Sequence, residues 1–294
     1  MEERVYLNGD LVPRSQARLS PFDHGFLYGY GLFETMRAYR GFIFRLDRHL
    51  KRLQRSAETI GITSGLDFFE LKRACYSTLE ANNLAESRIR LTVSVGEGDI
   101  VPNLPTSCDI TVFVAARELV PLPHESYEQG FKTILSSWRR NSRSPLSQLK
   151  STCYLESVLA RQEAKAAGAD EAMLLNERGS VAEGSGSNVF LVTGERLITP
   201  SPESGILPGI TREAVLELAR FWGFGTEERE MELEEVVGAE EAFLTNSILE
   251  IMPLTWFDGK PVGQGEPGAL TQRLMSAYKG LVEEERRKEL SGKA

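Results

Sequence analysis

A chain of 294 residues, 41% hydrophobic and 26% charged, carries enough apolar side chains for one large core or two smaller ones. Its formal net charge of −8 argues against a nucleic-acid binder, and no apolar run approaches the roughly 18 residues of a membrane span. Three cysteines without paired spacing and three scattered histidines, His24, His49 and His124, support neither a disulfide framework nor a metal site. The acidic opening MEERVYLNGD has no apolar stretch, so no secretory signal is read and a cytoplasmic location is expected.

In chain order, VYLNGDLV (5–12) predicts two short strands about an Asn-Gly turn, and FIFRL (42–46) predicts a further strand. DRHLKRLQRSAETIGI (47–62) brings Leu50, Leu53, Ala57 and Ile60 into a narrow arc at the helical period. An amphipathic helix follows, with Asp47 as its N-cap and Gly61 as its stop. LDFFELKRACYSTLEANNL (66–84) repeats the helical pattern, and SRIRLTVSV (87–95) alternates like a half-buried strand. Residues 1–117 therefore read as a small α/β domain. Pro121 and Pro123 break the periodicity, which places a linker at 118–127 and a larger domain at 128–294. In that second part strands are expected at FKTILSSW, EAMLLN, NVFLV, RLITP and EEAFLTNS. Helices are expected at TCYLESVLARQEAKAAG, TREAVLELARFWG and the charge-rich ALTQRLMSAYKGLVEEERRKEL, whose charges read as a solvated face.

Three places combine turn residues with a reactive group. Lys150 stands just ahead of a helix whose apolar positions start at Tyr154 and Leu155. A lysine near the positive end of a helix and partly desolvated has its ammonium form disfavoured, as amine nucleophiles require, although an exposed lysine is the simpler alternative. Glu183 lies in VAEGSGSNVFLV (181–192), where Gly184 and Gly186 imply a tight bend or a close approach. Gly205, Pro208 and Gly209 lead into a helix beginning near Thr211; this is either an anion cup of backbone N–H groups or an ordinary helix start capped by Thr211. Together the three match the needs of pyridoxal phosphate (PLP), which requires an imine-forming lysine, an anion at its ring nitrogen and a phosphate cradle.

LKSTCYLESVLARQEAKAAGADEAMLLNERGSVAEGSGSNVFLV and LITPSPESGILPGITREAVLELA closely resemble the signature region of the class IV aminotransferases, the fold-type IV PLP enzymes. LSPFDHGFLYGYGLFETMRAYRG, RLDRHLKRLQRSA and EAFLTNSILEIMPLTWFDGKPVG extend the likeness over nearly the whole chain. The resemblance implies a two-domain α/β (α+β) fold, with a small N-terminal α/β domain and a larger domain built on a β-barrel-like core. It makes Lys150 the Schiff-base lysine and proton shuttle and Glu183 the partner of the pyridine nitrogen. Arg52, Ile210, Thr211 and Ser247 become phosphate ligands, and Tyr154 a partner of the cofactor's phenolic oxygen. It also implies a homodimer in which a partner loop completes the site, and GEGDIVPNLP (96–105) has the length and composition of such a loop.

Within the family, Tyr28 and Phe33 match substrate-lining positions of branched-chain enzymes, and Arg90 matches an arginine beside their substrate. Arg88 stands where those enzymes usually have tyrosine. Two arginines at i and i+2 share a strand face, from which both could reach a substrate carboxylate, with an exposed strand arginine as the alternative for each. Val95 stands near the strand arginine of the bacillary D-amino acid enzymes, so that carboxylate trap is absent. TNSILEIMPL departs from the branched-chain pattern and looks more like the aminodeoxychorismate lyases. An aminotransferase acting on amino acid and 2-oxo acid substrates is the leading expectation, with 4-amino-4-deoxychorismate lyase as the alternative.

Overall fold

The structure, a computed structural model, describes residues 2–62, 65–101 and 110–292. Its contacts group the chain into two compact units, one formed by residues up to Val120 together with Leu149–Cys153, the other by Pro121–Gln148 and the chain from Tyr154 onward. Lys150, counted with 128–294 from the sequence, thus makes its contacts in the first unit. The segment 118–127 runs into a short helix, α4 (His124–Gln129).

The first unit is built on an antiparallel sheet of β1 (Arg4–Leu7), β2 (Asp10–Pro13), β3 (Gly31–Tyr39), β4 (Phe42–Ile43), β5 (Ser87–Ser94) and β6 (Thr111–Glu118), in the order β2-β1-β6-β5-β3-β4. It also holds α1 (His24–Tyr28), α2 (Leu46–Thr59) and α3 (Phe68–Ala81). Alternation divides the strands cleanly. Leu32, Met36, Ala38, Ile89, Leu91 and Val93 join Leu50, Leu53 and Ala57 of α2 and Leu71, Ala74 and Leu79 of α3 in one core, each fully buried leucine contributing roughly 1.5–3 kcal/mol. Phe33, Thr35, Arg37 and Arg88, Arg90, Thr92 occupy the opposite face. Asp67 caps α3 by accepting from the Phe69 and Glu70 N–H groups.

Two local expectations are corrected here. Only Phe42 and Ile43 of FIFRL are strand, because Arg45 turns left-handed (φ 53°) and serves as the N-cap of α2. Asp47 lies inside the first turn, where its charge favours the helix dipole, and caps nothing. Gly61, at φ 80°, stops the helix as expected.

The second unit carries a nine-stranded mixed sheet: β7 (Phe131–Arg140), β8 (Glu171–Asn176), β9 (Val181–Gly184), β10 (Asn188–Thr193), β11 (Arg196–Pro200), β12 (Gly225–Arg229), β13 (Glu241–Asn246), β14 (Glu250–Phe257) and β15 (Lys260–Pro261). The order is β12-β11-β10-β13-β14-β7-β8-β9, with β15 on β14. The sheet curls until β9 returns beside β10 and β11, giving the barrel-like core implied by the family resemblance. Helices α5 (Leu155–Ala166), α6 (Ile210–Phe221), α7 (Leu233–Gly238) and α8 (Ala269–Gly292) complete it. No helix among the described residues is long and apolar enough to cross a membrane.

Candidate active site

In the first unit, residues 149–153 lie along the start of β3. Phe33 N–H donates to the Lys150 carbonyl at 2.8 Å and Thr152 N–H to the Gly31 carbonyl at 2.9 Å, with Leu32 and Ser151 bridged between them. This places the Lys150 ammonium 4.6 Å from the centre of the Phe33 ring. Arg90 holds its guanidinium 3.8 Å from the same ring, so Lys150, Phe33 and Arg90 form one cluster. Arg88, exposed one strand repeat away, faces Arg37 on β3 and Arg117 on β6. Tyr28 ends α1 and is partly exposed.

The residue after Phe33 carries a second cluster that the sequence reading missed. Glu34 is 1% exposed and takes Arg52 Nε at 2.8 Å and Nη2 at 2.5 Å, one on each oxygen. His49, one turn before Arg52 on α2, adds Nδ1 at 2.7 Å. Burial would raise the Glu34 pKa, but the Arg52 charge and the His49 hydrogen bond hold it at about 2. Burial likewise pushes the His49 imidazole below its ordinary range against the pull of Glu34. A neutral histidine thus donates to a carboxylate that fixes the plane of the Arg52 guanidinium.

Glu34→Ala should therefore cost about 3–5 kcal/mol of folding stability, because it leaves a buried guanidinium without its carboxylate; chemical denaturation measures it. The sign with pH follows from the lowered pKa. The Glu34 contribution is fully present above the ordinary carboxylate value of 4.5 and is lost as pH falls toward 2. Glu34→Gln should remove that part of the acid sensitivity, and an unchanged acid transition would contradict the assignment.

In the second unit Glu183 is buried on β9. Arg140 from β7 sets Nη2 3.1 Å from its Oε1, while Leu207 N–H and Asn188 Nδ2 donate to Oε2 at 3.1 and 3.3 Å. Arg140 is itself steered by Glu156 at 2.7 Å and Ser157 at 3.1 Å, both on α5. The surrounding small residues are explained by crowding. A Cβ on Gly184 would lie 2.2 Å from Ser187 Oγ, and one on Gly186 would lie 2.7 Å from Arg161 Nη2. Ser185 and Ser187 both donate to the buried Glu171. Tyr154 directly precedes α5 and gives its hydroxyl to the Ser185 carbonyl at 3.3 Å; burial raises its phenol pKa.

Helix α6 starts at Ile210, and its N-cap is Gly209, with no side-chain cap bond. The alternative in which Thr211 caps the helix is therefore corrected: Thr211 is inside the first turn and buried. A Cβ on Gly209 would strike Asn188 Oδ1 at 2.0 Å, so the residue cannot be a serine or aspartate that would cap the turn. Ser247 opens the turn after β13, next to Asn246, whose amide donates to the Gly186 carbonyl at 3.0 Å. Beside it, Thr245 Oγ1 is buried without a hydrogen-bond partner. Of the loop 96–105, residues 96–101 are described and 102–105 lie outside the described residues.

These donors suit pyridoxal phosphate. The first unit by itself offers an amine at Lys150 and an oriented guanidinium at Arg52; the second by itself offers a buried carboxylate at Glu183, a side-chain-uncapped helix start at Ile210 and Thr211, and an orphaned hydroxyl at Thr245.

Comparison with known proteins agrees. The family model described as amino-transferase class IV matches residues 31–256. A putative branched-chain-amino-acid aminotransferase of Methanocaldococcus jannaschii is 39% identical over 280 residues, covering 95% of this chain and 96% of that protein. An aminodeoxychorismate lyase of Bacillus subtilis is 37% identical over 277 residues, covering 94% and 93%. The solved branched-chain amino acid aminotransferase of Thermobaculum terrenum, in its PLP form, superposes with a TM-score of 0.86 at 31% identity, covering 96% of this chain and 94% of that one. The chain belongs to the class IV aminotransferase family.

Proposed function

We propose that this protein is a PLP-dependent aminotransferase that moves an amino group between an amino acid and a 2-oxo acid. The observation that carries the reading is Glu183, a buried carboxylate that faces Arg140 and accepts from two N–H donors, an anion such as a protonated ring nitrogen requires for its partner. Bound PLP supplies an electrophilic carbonyl and a ring able to accept electrons from a breaking Cα–H bond. Lys150 binds that carbonyl and moves the proton at the substrate Cα. Arg52, Ile210, Thr211 and Ser247 anchor the phosphate, and Tyr154 donates to the phenolic oxygen. Tyr28, Phe33, Arg88 and Arg90 receive the substrate, with the two arginines reading carboxylate.

Aminodeoxychorismate lyase is the second reading, favoured by the Bacillus subtilis relative and by TNSILEIMPL. Both reactions start with the same proton abstraction. A paired assay separates them: amino transfer to 2-oxoglutarate from L-amino acids, D-amino acids and R-amines, run beside conversion of aminodeoxychorismate to 4-aminobenzoate. Product in the second arm alone would replace the aminotransferase reading.

Arg52→Ala should weaken PLP retention more than it slows turnover in saturating cofactor, since an anchor binds ground and transition states alike. Arg52→Lys keeps the charge but loses the fork that Glu34 orients, and should fall between. The exposed Arg48 is the control. Equal PLP affinity in Arg52→Ala and wild type would contradict the placement.

A cytoplasmic homodimer fits the same reading. Phe26, 75% exposed on α1, lies in a unit that also exposes Phe22, Leu27, Ile100 and Val101, side chains of the kind a partner subunit covers. Light scattering should report twice the chain mass at assay concentration; an active monomer would refute the assembly.

A further inference from the structure

The loop that follows β5 is fastened to the start of α1 by contacts lying wholly in the first unit. His24 N–H donates to the Gly96 carbonyl at 2.9 Å and Gly98 N–H to the Phe22 carbonyl at 3.2 Å, so Asp23 and Glu97 form an antiparallel bridge. The buried Asp23 carboxylate accepts from Ser94 Oγ at 2.8 Å, Thr111 Oγ1 at 2.7 Å and Gly25 N–H at 2.7 Å. Ser94 ends β5 and Thr111 begins β6. One carboxylate therefore ties together the two strand ends that the loop connects.

His24 completes the fastening. Its Nε2 lies 2.8 Å from the Asp99 carbonyl, and because a carbonyl only accepts, that nitrogen carries the proton. Gly98 packs flush on the imidazole: a Cβ at that position would sit 2.5 Å from Nε2. The same imidazole meets the Tyr28 ring edge to face, with centroids 5.2 Å apart and planes at 84°. A single buried side chain thus touches both the loop and the tyrosine at the end of α1.

We propose that His24 is a positioning residue for substrate binding, which couples residues 96–99 to the Tyr28 ring so that loop and ring hold one shape. The proposal rests on the reading of Tyr28 as a substrate-lining residue. His24 acts through Tyr28 and the loop and has no part in the chemical step, so its loss falls on substrate affinity.

The test uses the PLP-loaded enzyme and its best amino donor, with His24→Ala, Gly98→Ala and the double variant. Each single change should raise KM roughly tenfold with kcat within about twofold of wild type and with cofactor absorbance unchanged. In the double variant KM should stay close to that of His24→Ala alone, because the ring that a Cβ would strike is gone. His24→Gln, which keeps a donor for the Asp99 carbonyl, is measured in case alanine does not fold, and should lie nearer wild type. Independently of activity, amide exchange at Gly98 should quicken in His24→Ala. An unchanged KM in His24→Ala overturns the proposal, as do multiplicative effects of the two changes or a parallel loss of kcat, KM and cofactor. Absence of turnover with every donor in the wild-type protein would overturn the functional reading instead, and the exchange rates would still judge the fastening.

Discussion

Lys150→Ala should yield a folded protein without measurable turnover, a loss on the order of 10⁴-fold or more, as expected when a nucleophile that also moves the proton is removed. The fold should survive because the segment is held by its backbone: Phe33 N–H reaches the Lys150 carbonyl and Thr152 N–H the Gly31 carbonyl, and alanine keeps both. The side chain adds the amine and its seat over Phe33. Borohydride treatment of the PLP-loaded wild-type protein, followed by peptide mapping, should place the label on Lys150. A label on another lysine, or residual turnover within tenfold of wild type in Lys150→Ala, would sink the assignment.

Glu183→Gln should retain PLP yet slow proton abstraction by about 100-fold or more, several kcal/mol of barrier, because a neutral amide does not stabilise a positive charge on the ring nitrogen. The variant should fold. Arg140 keeps Glu156 and Ser157 as partners, and the amide oxygen still accepts from Leu207 N–H and Asn188. Single-turnover kinetics in saturating PLP isolate the step, and an unchanged rate there would refute the role. Asn188→Ala offers a milder companion, since it removes one donor and leaves the carboxylate in place.

The periodic helices α2, α3, α5, α6 and α8 and most central strands were legible because their apolar spacing is local. β9 was not, since VAEG is short and glycine-containing. β12 (GTEER) carries three charges in five residues, and β14 contains Pro253. That proline is tolerated because pairing with β7 begins only at Leu254, leaving no ladder bond for its missing N–H. Lys150, Glu183 and the start of α6 were singled out by turn chemistry, and the roles proposed for them by family likeness. Arg140, which holds Glu183, comes from the distant strand β7 and left no local trace, whereas Asn188 lies within the same VAEGSGSNVFLV stretch and was not singled out. Glu34 did leave one: it occupies the alternating register of Leu32, Met36 and Ala38, and a carboxylate on a core-facing strand position demands a cation. His49 and Arg52, three apart beside the apolar stripe of α2, were the available partners.

The pairing of residues 149–153 with β3 has a bearing on how the chain is made. β4 meets β3 only at Ala38 and Tyr39, so until the later segment emerges the strand edge around Leu32 and Phe33 is bare, a template for pairing with other chains. A fragment ending at Val120 should therefore aggregate where the longer chain does not. No single cleavage of the polypeptide separates the two units intact. On the ribosome, the residues that finish the first sheet are the same ones that bring the proposed nucleophile, so the unit gains its last structural contact and its reactive amine in one step of synthesis.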